Sequence, residues 1–283
     1  MKRLYKTPIE IFCHDIDSQE DTFRLAVQQQ YCKYIKSTCT KPRKSEPKIK
    51  VGICTLGATV AGSKDIRPII VCPQRFKEDT MFETIRKKYL LDWKNVKWVS
   101  EVNIGVGGSI DYVAVELNDN NEILNFQCVE IQAAGTTGTP YDAVVEYKQF
   151  GRFLNTSYPY GINWANEFVK TMMQQAYKKG KIVESWNRKI IFCIQDVGME
   201  YIHSSSDCTL LTDFNISLPV DFCTFKLGWT GTKWSLNFDN IYSTSLEGVN
   251  RIIGGPVQNE YLTVEEFKLN ILRKGIQDGI IRT

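Results

Sequence analysis

The sequence predicts an α/β fold in which a mixed sheet is flanked by helices and built around a hairpin. Three observations carry this. Residues 109–132 hold two apolar runs rich in Val, Ile, Tyr and Phe, separated by the turn signal Asn118-Asp119-Asn120-Asn121-Glu122. Residues 163–186 form a long amphipathic pattern, with Trp164, Phe168, Met172 and Ala176 along one helical face. A strongly apolar run then occupies residues 188–198. Hairpin, helix and apolar strand in that order describe a sheet with at least one helical crossover.

Composition bounds the rest. At 283 residues the chain is long enough for one large core, or one core and a small satellite. Its 43% apolar and 24% charged residues are the balance of an ordinary soluble protein. No apolar run reaches the roughly 18–20 residues of a membrane helix, so no membrane partner is expected. The N-terminus is basic without an apolar stretch behind it, which argues against a signal peptide and for a cytoplasmic protein. In that reducing setting nine cysteines, an odd number, are thiols or metal ligands rather than a disulfide frame. A net charge of +3 permits a nucleic-acid partner without demanding one.

Taken in order, residues 17–38 read as a helix, with Phe23, Val27 and Tyr31 at helical spacing. Residues 41–50 combine two prolines with five Lys or Arg and read as a loop. It is either simply solvated or in contact with phosphates. Two short strands and a small-residue link fill residues 49–73. Residues 74–92 form an amphipathic helix with Phe76, Met81, Ile85 and Leu90 inward, and a strand carrying Glu101 follows. After the hairpin, residues 133–143 read as a flexible Gly/Thr loop. Beyond Tyr201 come short strands and turns, and residues 263–275 form a helix opened by a Thr263/Glu266 capping box.

The chemistry concentrates at the ends of the hairpin. Asp111 opens the first strand, and Glu130 and Gln132 close the second. Residues two apart on a strand share a face, so Glu130 and Gln132 point together. Two carboxylates and an amide there have little packing value, but they suit a Mg²⁺ ion, which takes oxygen ligands and keeps several waters. Gln132 can orient a water and cannot supply charge. Glu101 is either a further catalytic ligand or a solvent-facing strand residue. Cys32, Cys39, Cys54 and Cys72 form a candidate thiolate set whose spacing differs from common zinc modules, and Cys54 and Cys72 read equally as buried small residues. His14 and His203 are the only histidines and neither has a supporting motif, which argues against histidine-dependent hydrolysis.

GICTLG and IIVCPQRF, with CTKPR upstream and SIDYVAVELN and CVEIQ downstream, together resemble the NotI-type restriction endonucleases. The likeness runs from about Cys32 to Asp196. It implies a PD-(D/E)xK nuclease fold with Gln in the Lys position: a restriction-endonuclease-like mixed sheet core with an N-terminal four-cysteine metal-binding subdomain. It implies residues 1–95 as that N-terminal helical and metal-binding region and 96–283 as the nuclease core. Carried over by residue, it makes Asp111, Glu130 and Gln132 catalytic, with Glu101 beside them, and Cys32, Cys39, Cys54 and Cys72 ligands of a structural iron. Thiolates bind zinc equally well, so zinc stays open. The resemblance further implies a homodimer that cuts double-stranded DNA at a palindromic, GC-rich site. Lys41, Arg43, Lys44 and Lys48, with the loop of residues 136–142, are the candidate DNA contacts. Two other readings stand beside this one: a different nuclease of the same fold, and a metal-stabilised DNA-binding protein without catalysis.

Overall fold

The central hairpin forms as expected, for a local reason. The Asn118 side chain accepts hydrogen bonds from the backbone N–H groups of Asn120 and Glu122, both at 2.9 Å, and Asn121 takes a left-handed φ of 62°. Asn tolerates that conformation better than any residue but Gly. The computed structural model describes residues 4–18, 21–43, 46–105, 108–255 and 263–277.

In chain order the principal strands are β1 (Pro8–Ile11), β2 (Ile53–Thr59), β3 (Ile66–Ile70), β4 (Val96–Asn103), β5 (Ser109–Leu117), β6 (Ile123–Gln132), β7 (Ile190–Gln195), β8 (Val220–Trp229) and β9 (Trp234–Thr244). The helices are α1 (Asp21–Gln29), α2 (Asp79–Tyr89), α3 (Tyr141–Phe150), α4 (Met173–Ser185), α5 (Asp196–Ser205), α6 (Leu246–Gly254) and α7 (Val264–Gln277). Seven strands make the large sheet, in the order Thr212–Asp213, β9, β8, β7, β6, β5, β4. β6, β7 and β8 run parallel and the remaining neighbours antiparallel. This is the expected mixed sheet flanked by helices. All six residues of β7 are buried, as a parallel strand covered on both faces requires. A four-stranded sheet of His14–Asp15, β1, β2 and β3 stands at the N-terminal side.

Four elements differ from the sequence reading. Residues 41–50, expected as a loop, instead form the strands Pro42–Arg43 and Glu46–Lys50, which pair antiparallel as a ribbon. The first helix ends at Gln29, because Gln30 turns left-handed at a φ of 53°. Its C=O accepts from Cys39 N–H at 2.8 Å and its side chain from Lys50 N–H at 2.6 Å, which closes residues 31–38 into a small ribbon. The flexible loop after Gln132 is shorter than expected, since α3 begins at Tyr141. The apolar strand stops at Gln195, and Asp196 starts α5. Gln195 is diverted to β3, where its amide accepts from Ile70 N–H at 2.8 Å and donates to Pro68 O at 2.6 Å. The capping box at Thr263 and Glu266 forms in full: Thr263 N–H donates to the Glu266 carboxylate at 2.8 Å and Glu266 N–H to Thr263 Oγ1 at 3.2 Å.

The N-terminal part is bound to the large sheet by apolar packing and by buried charge. One hydrophobic cluster runs from Ile11, Ile53 and Leu56 to Ile110, Val113 and Phe192. Arg75, wholly buried, pairs with Glu10 at 2.7 Å and Glu78 at 2.5 Å and donates to Trp234 O at 3.0 Å. Burying a guanidinium costs several kcal/mol unless its donors are met, and here β1, α2 and β9 meet them together. Removing it leaves Glu10, 3% exposed, as an uncompensated buried charge. Arg75→Met is therefore expected to destabilise the fold by about 3–5 kcal/mol in urea unfolding. A loss below about 1 kcal/mol would show that the pair is not what joins the two parts.

Candidate active site

The strand register sets the site. β5 pairs Tyr112 with Val129, which continues to place Asp111 opposite Glu130. On its other side β5 pairs Ile110 with Val102 and Tyr112 with Ser100, which brackets Asp111 opposite Glu101. Directly opposite residues of antiparallel strands point to one face. Asp111 and Glu130 thus share a face, and Glu101 stands level with Asp111 on the neighbouring edge strand, where its left-handed backbone interrupts the pairing. The three differ in surroundings. Glu101 is exposed, on the outermost strand, with a left-handed φ of 55° that kinks the edge there. Asp111 is half-buried, and its Oδ2 accepts from Ile131 N–H at 2.8 Å. Glu130 is 4% exposed.

Glu130 is held from both sides. Asp111 N–H approaches its Oε1 at 3.4 Å. Lys179, on α4, puts its Nζ 2.8 Å from the same oxygen and donates to Ser109 O at 2.8 Å. Burial pushes the Glu130 carboxyl up to about 7, and the Asp111 charge adds to the effect while Lys179 opposes it. Gln132, one turn of the pleat further on, donates to Ala133 O at 2.9 Å and approaches Glu167 Oε2 at 3.4 Å. Glu167 belongs to a π-helical segment, Ala165–Met172, that precedes α4. It lies so close over Gly135 that a Cβ there would meet Glu167 Oε1 at 2.2 Å.

Sequence pattern does not single out Lys179 or Glu167. A lysine in the basic run Lys178-Lys179-Gly180-Lys181 looks like solvated surface. The one local sign is Gly180, where a Cβ would sit 3.0 Å from Leu246 and 3.1 Å from Val220. The helix comes down on the sheet at that point and carries Lys179 with it.

Of the four candidate cysteines the structure brings Cys32, Cys54 and Cys72 together, and adds Cys13. Cys13 Sγ lies 3.4 Å from both Cys32 Sγ and Cys54 Sγ, and Cys54 shares a hydrogen bond with Cys72. Among the described residues no such thiol contact involves Cys39, whose backbone N–H is bonded to Gln30. Cys13 sits in a two-residue left-handed turn after β1, with φ of 48° at Phe12 and 68° at Cys13. The Cys13 thiol is pushed up by its bond to Cys32, and the Cys32 thiol is correspondingly lowered. Backbone N–H groups of Tyr34 and Ile35 reach the Cys32 sulfur and favour its thiolate, whereas the bond to Cys54 and burial push the Cys72 thiol up despite the N–H of Gln74.

Neither centre is arranged as a finished metal cage. Among the described residues no group of three or more His, Cys, Asp or Glu is placed to hold an ion. The sulfurs stand as hydrogen-bonded thiols, closer than the about 3.8 Å that tetrahedral Zn–S bonds of about 2.3 Å would give. The two carboxylates at the hairpin fit Mg²⁺ in kind, since that ion needs one or two carboxylates and fills its other positions with water and phosphate.

The expected DNA contacts also converge. Lys41, Arg43, Val71, Thr136, Thr139 and Tyr141 line a cavity of about 490 Å³ between the Pro42–Arg43/Glu46–Lys50 ribbon and the loop leaving β6. Lys41 is anchored to Val71 O at 2.9 Å, and Arg43 stacks over the Tyr141 ring at 4.7 Å. Lys48 is exposed on the same ribbon, and Lys44 lies outside the described residues.

Comparison with known proteins decides the family. The family described as Restriction endonuclease NotI matches residues 24–207, about two thirds of the chain. The chain belongs to the NotI restriction endonuclease family. It is a site-specific deoxyribonuclease, a hydrolase whose partner is double-stranded DNA. The match spans the three acids, Lys179 and three of the four clustered cysteines, leaving Cys13 upstream of it. No curated protein matches the chain. Among the described residues no helix is long and apolar enough to cross a membrane.

The buried carboxylate makes the chemistry pH-dependent. If Glu130 takes a cation, as proposed below, the cation has to displace a proton that burial holds up to about pH 7. The Mg²⁺ concentration giving half-maximal cleavage should therefore rise about tenfold per pH unit below about 7 and level off above it. A half-saturation flat from about pH 5.5 to about 8.5 would exclude Glu130 as the group that must ionise.

Proposed function

We propose that the enzyme hydrolyses DNA at Asp111, Glu130 and Gln132 in a Mg²⁺-dependent reaction, with Glu101 beside them. The observation that carries the reading is the register that sets Asp111 beside Glu130, 19 positions further along the chain, with Glu101 level with them on the edge strand. Bound there, Mg²⁺ would lower the pKa of a water and neutralise charge on the phosphate. Asp111 is oriented by the backbone of Ile131, so its carboxylate is fixed before substrate arrives. Gln132 keeps one amide N–H on Ala133 O and can direct a water by its oxygen.

The groove lined by Lys41, Arg43 and the Thr136–Tyr141 loop is the DNA-reading surface of this proposal, with Lys48 beside it on phosphate. A palindromic, GC-rich site and a homodimer follow from the family resemblance. Cysteines anchor the groove. Cys13, Cys32, Cys54 and Cys72 are the proposed ligands of a structural iron or zinc ion, with Cys13 in the place that the resemblance gives to Cys39. Cys13 bonds to Cys32 and Cys54, and Cys54 to Cys72, so the four thiols lie in one connected cluster. Lys41, bonded to the residue before Cys72, is held by that cluster.

Two experiments test the reading. Bacteriophage DNA incubated with the protein and Mg²⁺ should give discrete fragments, and Asp111→Asn or Glu130→Ala should lose cleavage by about 10³-fold or more while still binding DNA in Ca²⁺. Normal cutting by either variant would remove the site assignment. Elemental analysis of the purified protein should find about one iron or zinc ion per chain in the native protein and in Cys39→Ser, and none in Cys13→Ser. Full metal content in Cys13→Ser with loss in Cys39→Ser would restore the set with Cys39.

A further inference from the structure

We propose that Lys179 supplies, from helix α4, the positive charge that a strand lysine would supply if Gln132 were one. The inference rests on the nuclease reading above and extends it to a residue outside the strand motif.

Lys179 is 7% exposed, and a lysine almost never stays that far from water unless its charge is met. A bland alternative is that it merely neutralises Glu130 in the core. Three features favour a working cation. The partner is Glu130 and no other acid, and the contact is at 2.8 Å to a single carboxylate oxygen. The second hydrogen bond goes to Ser109 O, two residues before Asp111. Nζ therefore sits between the two catalytic strands. An ammonium has three N–H donors, these contacts use two of them, and the proposal assigns the third to a phosphate oxygen.

The need is set by charge. Hydrolysis forms a bond from the water oxygen to phosphorus and breaks the bond from phosphorus to the leaving sugar oxygen. The water gives up a proton to solvent and the leaving oxygen takes one from solvent. Negative charge builds on the phosphate oxygens between those events. Gln132 offers a dipole there and no charge. Lys179, ion-paired to Glu130 at 2.8 Å, brings a cationic side chain into a site shielded from water, where a charge acts most strongly. Gly180 is what lets the helix deliver it, since any side chain at that position presses on Leu246 and Val220.

The test compares Lys179→Met, Lys179→Arg and the double variant Lys179→Met with Gln132→Lys. Single-turnover cleavage by Lys179→Met is expected to fall by about 10²–10³-fold. Its DNA binding in Ca²⁺ should stay within about threefold, and its Mg²⁺ affinity by calorimetry should hold or tighten, because a competing cation has left Glu130. Lys179→Arg should recover at least about tenfold over Lys179→Met, and Gln132→Lys should raise the rate of Lys179→Met by a similar factor. Cleavage by Lys179→Met within about threefold of the native enzyme would overturn the proposal. So would a double variant no faster than Lys179→Met, or a loss of Mg²⁺ affinity large enough to explain the slower rate. If Lys179→Met does not fold, Lys179→Gln carries the same comparisons. A native enzyme that cuts no DNA, or a Glu130→Ala variant that cuts normally, would count against the nuclease site itself. With native cleavage present and Glu130→Ala inactive, the Lys179 results bear on Lys179 alone.

Discussion

A carboxylate buried at the end of a central strand is the constraint around which this molecule is arranged. Glu130 sits among apolar residues of β5, β6 and β7, where an isolated charge is costly. It is tolerated because α4 carries Lys179 onto it and because β5 turns a backbone N–H toward it. That arrangement needs the helix to approach the sheet at Gly180 and β5 to hold its register. The fold is thus organised to keep a group ionisable where hydrocarbon alone would pack better.

The hairpin and its acids are legible in the sequence because both signals are local. Alternating apolar residues, an Asn-rich turn and a two-residue spacing between Glu130 and Gln132 are all written within one short stretch. The same holds for the capping box at Thr263 and Glu266. What escapes the sequence are contacts made across it. Lys179 is separated from Glu130 by 49 positions and sits in a run of lysines, so nothing nearby distinguishes it. Cys13 joins Cys32 and Cys54 only because β1 pairs with β2 and a left-handed turn swings its sulfur back. Gln195 reads as one more strand residue until its amide is seen bonded to β3. The first helix reads too long because Tyr31 keeps helical spacing, and only the left-handed Gln30 reveals the break.

The N-terminal part and the nuclease sheet are joined by polar contacts that have no slack. Arg75 draws β1, α2 and β9 to one guanidinium, and Gln195 fastens β7 to β3. Ala134 N–H adds a bond to Ile70 O at 2.9 Å. β2, with Cys54, and the strands with Asp111 and Glu130 are therefore tied into one frame, and the ribbon carrying Arg43 stands beside it.

The short loop after β6 turns that rigidity into a rule of distance. Thr136, on the wall of the groove, is four residues beyond Gln132. A fully extended chain of that length spans about 14 Å. Bases along one strand rise by about 3.4 Å, so a duplex seated in both places is read within roughly four base pairs of the phosphate at the acids. On the proposed reading of acids and groove, cleavage falls inside or beside the sequence that is read. Cutting at a distance would take a longer leash than this loop provides.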